Sequence, residues 1–120
     1  MKLSTIFTAL NQLKVDHWQT KSHSEHIAFG KAYEALDELF DSFVEVLYGK
    51  KGIPETSRSS INYNIKFDSY SSDPIVRYRL MRDTLISYLT EITEDYNDLK
   101  NIKDEIEAEF NQLIYRLQQK

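Results

Sequence analysis

The chain has 120 residues, 41% of them hydrophobic, no cysteine and a formal net charge of −4. This length suits one domain with its own core, and the missing cysteines exclude a disulfide framework and thiolate-bound zinc or iron–sulfur clusters. The charges are mixed along the chain and lack the clustered Lys and Arg of a nucleic-acid surface, so we expect no DNA partner.

The first predicted helix covers residues 3 to about 20. Its apolar residues recur every three or four positions, at Leu3, Ile6, Phe7, Leu10 and Leu13. The same stripe reaches His17, which we therefore expect on the core side of this helix. Asn11, Gln12 and Lys14 interrupt the apolar run, which is too short and too polar for a signal peptide or a membrane span. We expect a soluble, cytoplasmic protein with no membrane partner.

The second predicted helix covers residues 23 to 48. Ser22 and Glu25 have the S-x-x-E spacing of a capping box, which predicts the start of this helix. Gly49 and Gly52 predict its end. Its apolar positions have the spacing of one buried helix face and are Ile27, Phe29, Ala32, Tyr33, Leu36, Leu39, Phe40, Phe43 and Leu47.

One edge of the second helix carries metal-binding residue types. At 100° per residue, His26, Asp37 and Asp41 fall within an arc of about 60° beside the apolar face. Glu45 lies one turn beyond Asp41. This helix therefore offers one imidazole and several carboxylates along a single edge.

Residues 49–72 are polar and rich in turn formers, and they predict one long connection. Alternating apolar residues in it favour an extended segment against the bundle, at Ile61, Tyr63, Ile65 and Phe67. A third helix is predicted over 74–94, because Asp73 is a candidate N-cap and Pro74 occupies the first helical position. A break then precedes a fourth helix over 98–117.

Four helices in a single domain, residues 1–120, predict an all-α, ferritin-like four-helix bundle. A helix of about 26 residues is roughly 39 Å long, and a connection of about 24 residues can reach ~80 Å. The long connection between helices 2 and 3 can therefore cross the bundle and join two antiparallel hairpins, as in ferritin-like folds. A simple up-down-up-down bundle would need only a short loop.

The commonest di-iron site of ferritin-like bundles uses a Glu-x-x-His motif on each of two helices. This sequence contains no such motif, and its three histidines all lie between positions 17 and 26. A standard di-iron centre within one subunit is therefore excluded, and a different ferritin-like site stays open.

The segment from about residue 10 to 50 resembles the Dps family, the mini-ferritins of starved bacteria. His17-Trp18 is similar to the family's His-Trp pair near the end of the first helix, and His26 to its second histidine. Asp41 and Glu45 have the family's spacing from that histidine. The segment is also similar to short Dps-like proteins of tailed phages.

This resemblance implies a homo-oligomer, a dimer at least, that binds and oxidises iron at a site shared across a two-fold interface. His17 and His26 of one subunit would face Asp41 and Glu45 of the other, and Trp18 would lie beside the iron as an electron donor. Carboxylates and neutral imidazoles suit Fe(II), and so few protein ligands leave positions for water and an oxidant. The implied function is a ferroxidase that removes Fe(II) and peroxide.

Three features differ from the Dps pattern. His17 and His26 are closer together than the family's pair by about one helical turn. His23 and His26, spaced i, i+3, could bind zinc in competition with iron. Many Dps proteins bind DNA with a lysine-rich N-terminal tail, and we expect none here, because the first predicted helix starts almost at Met1.

An alternative function is a non-enzymatic structural or interaction module on the same bundle, either a phage virion component or a host-directed effector. Each residue also has a simpler interpretation: His17 as a hydrogen-bonded core residue, Asp41 and Glu45 as a solvated helix edge, and Trp18 as a core anchor. The third interpretation is a generic helical domain that does not descend from a metal-binding protein. For either function we expect a dimer, because the aromatic-rich second helix should leave apolar surface uncovered.

Overall fold

The computed structural model describes residues 3–53 and 71–119, and these form four α-helices. The helices are α1 (Leu3–Gln19), α2 (His23–Lys51), α3 (Pro74–Thr93) and α4 (Asn97–Leu117). The described ranges contain no strand, which confirms the all-α class. None of the four helices is long and apolar enough to cross a membrane. The predicted alternation at Ile61, Tyr63, Ile65 and Phe67 lies outside the described residues.

The order in which the helices pack defines the topology. Helix α2 packs against α1 and α4, whereas α3 packs against α4 and, less extensively, against α1. The helices therefore form a square in which α2 and α3 are diagonal. Near the C-terminus of α2, Lys50 pairs with Asp98 in the first turn of α4 at 3.0 Å. At the other end of the bundle, Arg77 near the start of α3 bonds to Asp16 near the end of α1.

These contacts show the direction of each helix. Helix α3 begins at the end of the bundle where α2 also begins, so α2 and α3 run parallel and α2 ends at the opposite end from the start of α3. This is the arrangement of a four-helix bundle with a crossover between helices 2 and 3. The predicted fold class is confirmed, and an up-down-up-down order is excluded because its second and third helices would be neighbours.

The N-terminus of α2 confirms half of the predicted capping box. The Ser22 hydroxyl accepts a hydrogen bond from the Glu25 backbone N–H at 3.3 Å. A full capping box also has a bond from the Ser22 N–H to the Glu25 carboxylate, and this second half of the prediction is wrong, because the Ser22 N–H donates to Thr20 instead. Thr20 stands between them, because its hydroxyl accepts from the Ser22 N–H at 3.2 Å and donates to the Glu25 carboxylate at 2.8 Å.

The end of α2 lies three residues beyond the predicted position, at Lys51. The helix continues through Gly49, which keeps a helical conformation, and ends where Gly52 adopts a φ of 85° that other residues rarely take. The start of α3 agrees with its prediction, since the Asp73 carboxylate accepts from the Ile75 N–H at 2.9 Å.

The core of the bundle takes up most of the aromatic side chains of α2. Phe29, Phe40 and Phe43 are each at most 2% exposed. The aromatic part of the apolar surface expected on α2 is therefore largely buried within the chain, while Ile27 of the same helix stays 43% exposed, and the dimer stays a prediction. The most exposed aromatic side chains among the described residues belong to other helices, with Trp18 67% and Tyr115 63% exposed.

Candidate functional site

Two histidines meet where the end of α1 faces the start of α2. The Nδ1 atom of His17 lies 2.7 Å from the backbone carbonyl oxygen of His26, and the Nδ1 atom of His26 lies 2.7 Å from the carbonyl oxygen of His17. Their rings stack with centroids 3.9 Å apart and an interplanar angle of 16°. Of the four predicted ligands, this structure brings these two together.

The hydrogen bonds decide which ring nitrogens remain for other chemistry. A carbonyl oxygen only accepts, so each Nδ1 carries the proton and donates it, and the neutral ring keeps its lone pair on Nε2. An imidazole that gives one N–H to a carbonyl and its other nitrogen to a metal is the usual arrangement in metal sites. His17 and His26 therefore fit the role of metal ligands through Nε2.

The stacking limits how the two rings can bind a metal. Each Nε2 lone pair lies in the plane of its ring, and the two planes are nearly parallel, with a tilt of only 16°. The two ring planes intersect only at a distance from the rings that is several times longer than a metal–nitrogen bond of about 2.1 Å. As arranged, the rings can bind one ion each but cannot both bind the same ion.

Gly30 provides the space for the His17 ring. A methyl group at Gly30 would lie 3.0 Å from His17 Cε1 and 3.1 Å from its Nδ1. These distances are shorter than ordinary contacts, so the ring occupies the place where any other residue would have a side chain. Sequence reasoning missed Gly30, although a glycine within a helical pattern usually has a packing reason.

Asp41 and Glu45 lie far from the histidines of the same chain. Both are exposed on α2, and at 1.5 Å per residue they are about 22 and 28 Å along the helix from His26. Asp41 and Asp37 lie at the rim of a shallow cavity of about 210 Å³, whose walls include Ile6 and Phe7. A site that used all four predicted ligands would therefore need a second copy of the chain.

Zinc binding by His23 and His26 stays a prediction, as does the iron site with all four predicted ligands. The rings of His23 and His26 are 6.4 Å apart, with His23 exposed to solvent. Within the described ranges, no group of three or more histidine, aspartate or glutamate side chains is arranged to hold a metal ion.

Trp18 is exposed rather than buried. Because 67% of its surface is open, the interpretation of Trp18 as a core anchor was wrong. The Lys14 ammonium lies 5.8 Å from the Trp18 ring centroid and 4.5 Å from that of Tyr33. The indole therefore belongs to the outer α1–α2 face, next in the chain to His17, where a second copy could cover it.

A buried polar network adjoins the histidine pair and was missed from the sequence. The Tyr78 hydroxyl donates to Asp16 Oδ2 at 2.5 Å, and Arg77 Nη2 donates to the same oxygen at 3.0 Å. Burial, together with the Asp16 charge, raises the pKa of Tyr78 well above its ordinary value. The network ties the last turn of α1 to the first turns of α3, and it thereby supports the backbone that carries His17.

The fold and the site describe a crossover four-helix bundle with an imidazole pair at one end of its α1–α2 hairpin. The chain belongs to a family of unknown function, DUF5856, whose model matches residues 17–117. This match contains the four predicted ligands His17, His26, Asp41 and Glu45, as well as Trp18. No curated protein matches the chain, and no solved structure matches it.

Proposed function

We propose that this protein is a Dps-like, iron-binding ferroxidase of the cytoplasm, or of the virion if a phage encodes it. Its site would be completed by a second copy of the chain. His17 and His26 of one copy supply Nε2 atoms, and Asp41 and Glu45 of the other supply carboxylates. The observation that carries this proposal is that both Nδ1 atoms donate to carbonyls, which leaves two oriented Nε2 atoms as ligands.

The geometry of α2 supports a shared site. If α2 of each copy lies antiparallel to the other, a two-fold axis near residues 34 and 35 sets His26 opposite the Asp41 to Glu45 stretch of the partner. The carboxylates then reach the histidines of the partner, which they cannot do within their own chain. Asp41 and Glu45 are exposed and available for this contact.

The stacked rings favour two iron ions in each site, one on each imidazole. Each Fe(II) gives up one electron, and one peroxide takes two electrons and two protons and becomes two water molecules. Two Fe(II) ions in one site therefore match one peroxide. When only one Fe(II) is bound, the exposed Trp18 indole beside His17 would supply the second electron. In both cases the partner's carboxylates offset the growing positive charge of the iron.

A subunit-mixing experiment tests this proposal. His17→Ala and Asp41→Ala each damage every site of their own homodimers, so each variant should lose most Fe(II) oxidation, measured as the near-ultraviolet absorbance of ferric products. When the two are unfolded together and refolded, about half of the dimers should be mixed, and each mixed dimer has one intact site. Roughly a quarter of the wild-type sites should return.

Two outcomes would contradict the proposal. Equal loss in the mixture and in the single variants would exclude a site that is shared between two copies of the chain. Unchanged Fe(II) oxidation in both single variants would show that His17 and Asp41 take no part in it.

The alternative function, a structural or interaction module, is favoured by one observation. The reciprocal bonds of His17 and His26 satisfy one nitrogen of each ring without any metal and hold the α1–α2 turn together. A module of this kind predicts that His17→Ala lowers the free energy of unfolding while the wild type binds no Fe(II), which a titration followed by calorimetry would measure.

A further inference from the structure

The outer groove between α2 and α4 has opposite charges at its two ends. Near the start of α2, a cavity of about 250 Å³ is lined by Lys31 and Arg116. Further along the same groove, a cavity of about 310 Å³ is lined by Glu38, Glu105 and Glu109. The groove therefore carries a basic end and an acidic end on one face of the bundle.

Among the residues that the structure describes, these charges have no opposite partner. Lys31, Glu38 and Glu109 form no ion pair with any residue that the structure describes. The guanidinium of Arg116 bonds to the neutral Gln112 side chain at 3.3 Å. Between the two ends, the small side chain of Ala35 lines the groove, so another helix could approach closely there.

We propose that this groove is an interface with a second copy of the chain. A two-fold axis that crosses the groove at the level of Ala35 reverses its direction in the partner. Lys31 then lies opposite Glu38 of the second copy and Glu38 opposite its Lys31, as a two-fold contact requires. Arg116 lies opposite the acidic Glu105 to Glu109 stretch. An axis along the groove would instead place like charges together.

The level of this axis on α2 predicts a closed assembly. The shared iron site of the proposed function needs a two-fold axis near residues 34 and 35 on the neighbouring α1–α2 face, and the groove axis crosses α2 at the same level. Two-fold axes at one level on adjacent faces of a square bundle intersect and close into a tetramer, whereas axes at different levels would give an open chain. The tetramer, but not the groove interface, rests on the proposed function.

Charge reversal tests the interface without any iron. Lys31→Glu sets a new carboxylate against Glu38 of the second copy, and Glu38→Lys sets a new ammonium group against its Lys31. Each variant should weaken association about tenfold or more at low salt, measured as mass by sedimentation velocity. An equimolar mixture should associate again, because each mixed contact joins opposite charges. The double variant Lys31→Glu/Glu38→Lys should also associate.

Arg79→Glu and Glu91→Lys serve as matched controls, because they make the same charge changes at exposed positions of α3. They should leave the assembly unchanged. Circular dichroism of every variant checks that the helices are retained.

The masses separate this inference from the proposed function. A tetrameric wild type that falls to dimers on charge reversal supports both. A dimer that falls to monomers supports the groove and counts against the shared iron site. If charge reversal does not change the mass of the assembly, the groove interface is wrong. If the wild type forms an assembly larger than four chains, the closed tetramer is wrong.

Discussion

Replacing Gly30 with alanine sets a gain in helix propensity against the displacement of a histidine ring. Gly30 lies inside the 29-residue helix α2, where alanine is favoured over glycine by about 0.8–1.0 kcal/mol. The new methyl group would lie 3.0 Å from His17 Cε1, so the ring must move by a few tenths of an ångström at least. That movement breaks the hydrogen bond from His17 Nδ1 to the His26 carbonyl and leaves a part-buried donor without its acceptor, which costs about 1–3 kcal/mol.

The two effects differ in size, so the direction of the change in the free energy of unfolding can be predicted. Loss of the His17 ring's hydrogen bond costs about 2 kcal/mol, which exceeds the helix gain and leaves Gly30→Ala less stable by about 1 kcal/mol. Gly49→Ala in the same helix is the control, because no atom lies within 4 Å of its new methyl group. That variant should gain up to about 1 kcal/mol. Urea unfolding followed by circular dichroism measures the free energy of unfolding of both.

A second background isolates the cause. In His17→Ala protein the imidazole is gone, so Gly30→Ala should become stabilising, and the double-mutant cycle gives the coupling between the two positions. If Gly30→Ala stabilises the wild type as much as Gly49→Ala does, the His17 ring does not lie against Gly30 and the described site is wrong.

Two further predictions concern the buried network and the α2 cap. Tyr78→Phe removes a donor to the buried Asp16 carboxylate and should lower the free energy of unfolding by about 1.5–3 kcal/mol. Because the pKa of Tyr78 is raised above its ordinary 10.0, the wild type should lose stability as the pH rises above about 10, and this loss should be smaller in the variant. Equal alkaline losses in urea titrations would contradict the burial of this hydroxyl. Ser22→Ala removes the cap of α2 and should cost about 1 kcal/mol, and an unchanged thermal midpoint would show that the cap is dispensable.

Local signals in the sequence were sufficient for the helices and most of their ends. Ser22 caps α2 and Asp73 caps α3 through side-chain bonds to backbone N–H groups only two or three residues away. Such contacts depend on neighbouring residues alone, so a sequence pattern predicts them well. The choice between Gly49 and Gly52 as the end of α2 was harder, because both are glycines and only the conformation of Gly52 distinguishes them.

The site depended on contacts between residues far apart in the chain. The sequence indicated His17 and His26 as a pair, but their reciprocal bonds and stacking follow from the tight turn that joins α1 to α2. Asp16 and Tyr78 are 62 positions apart and meet only because α3 lies beside α1. The length of the connection after α2 permitted more than one bundle order. Packing of α2 against α4 decided it, because burying the apolar faces of four helices together selects neighbours that no local pattern identifies.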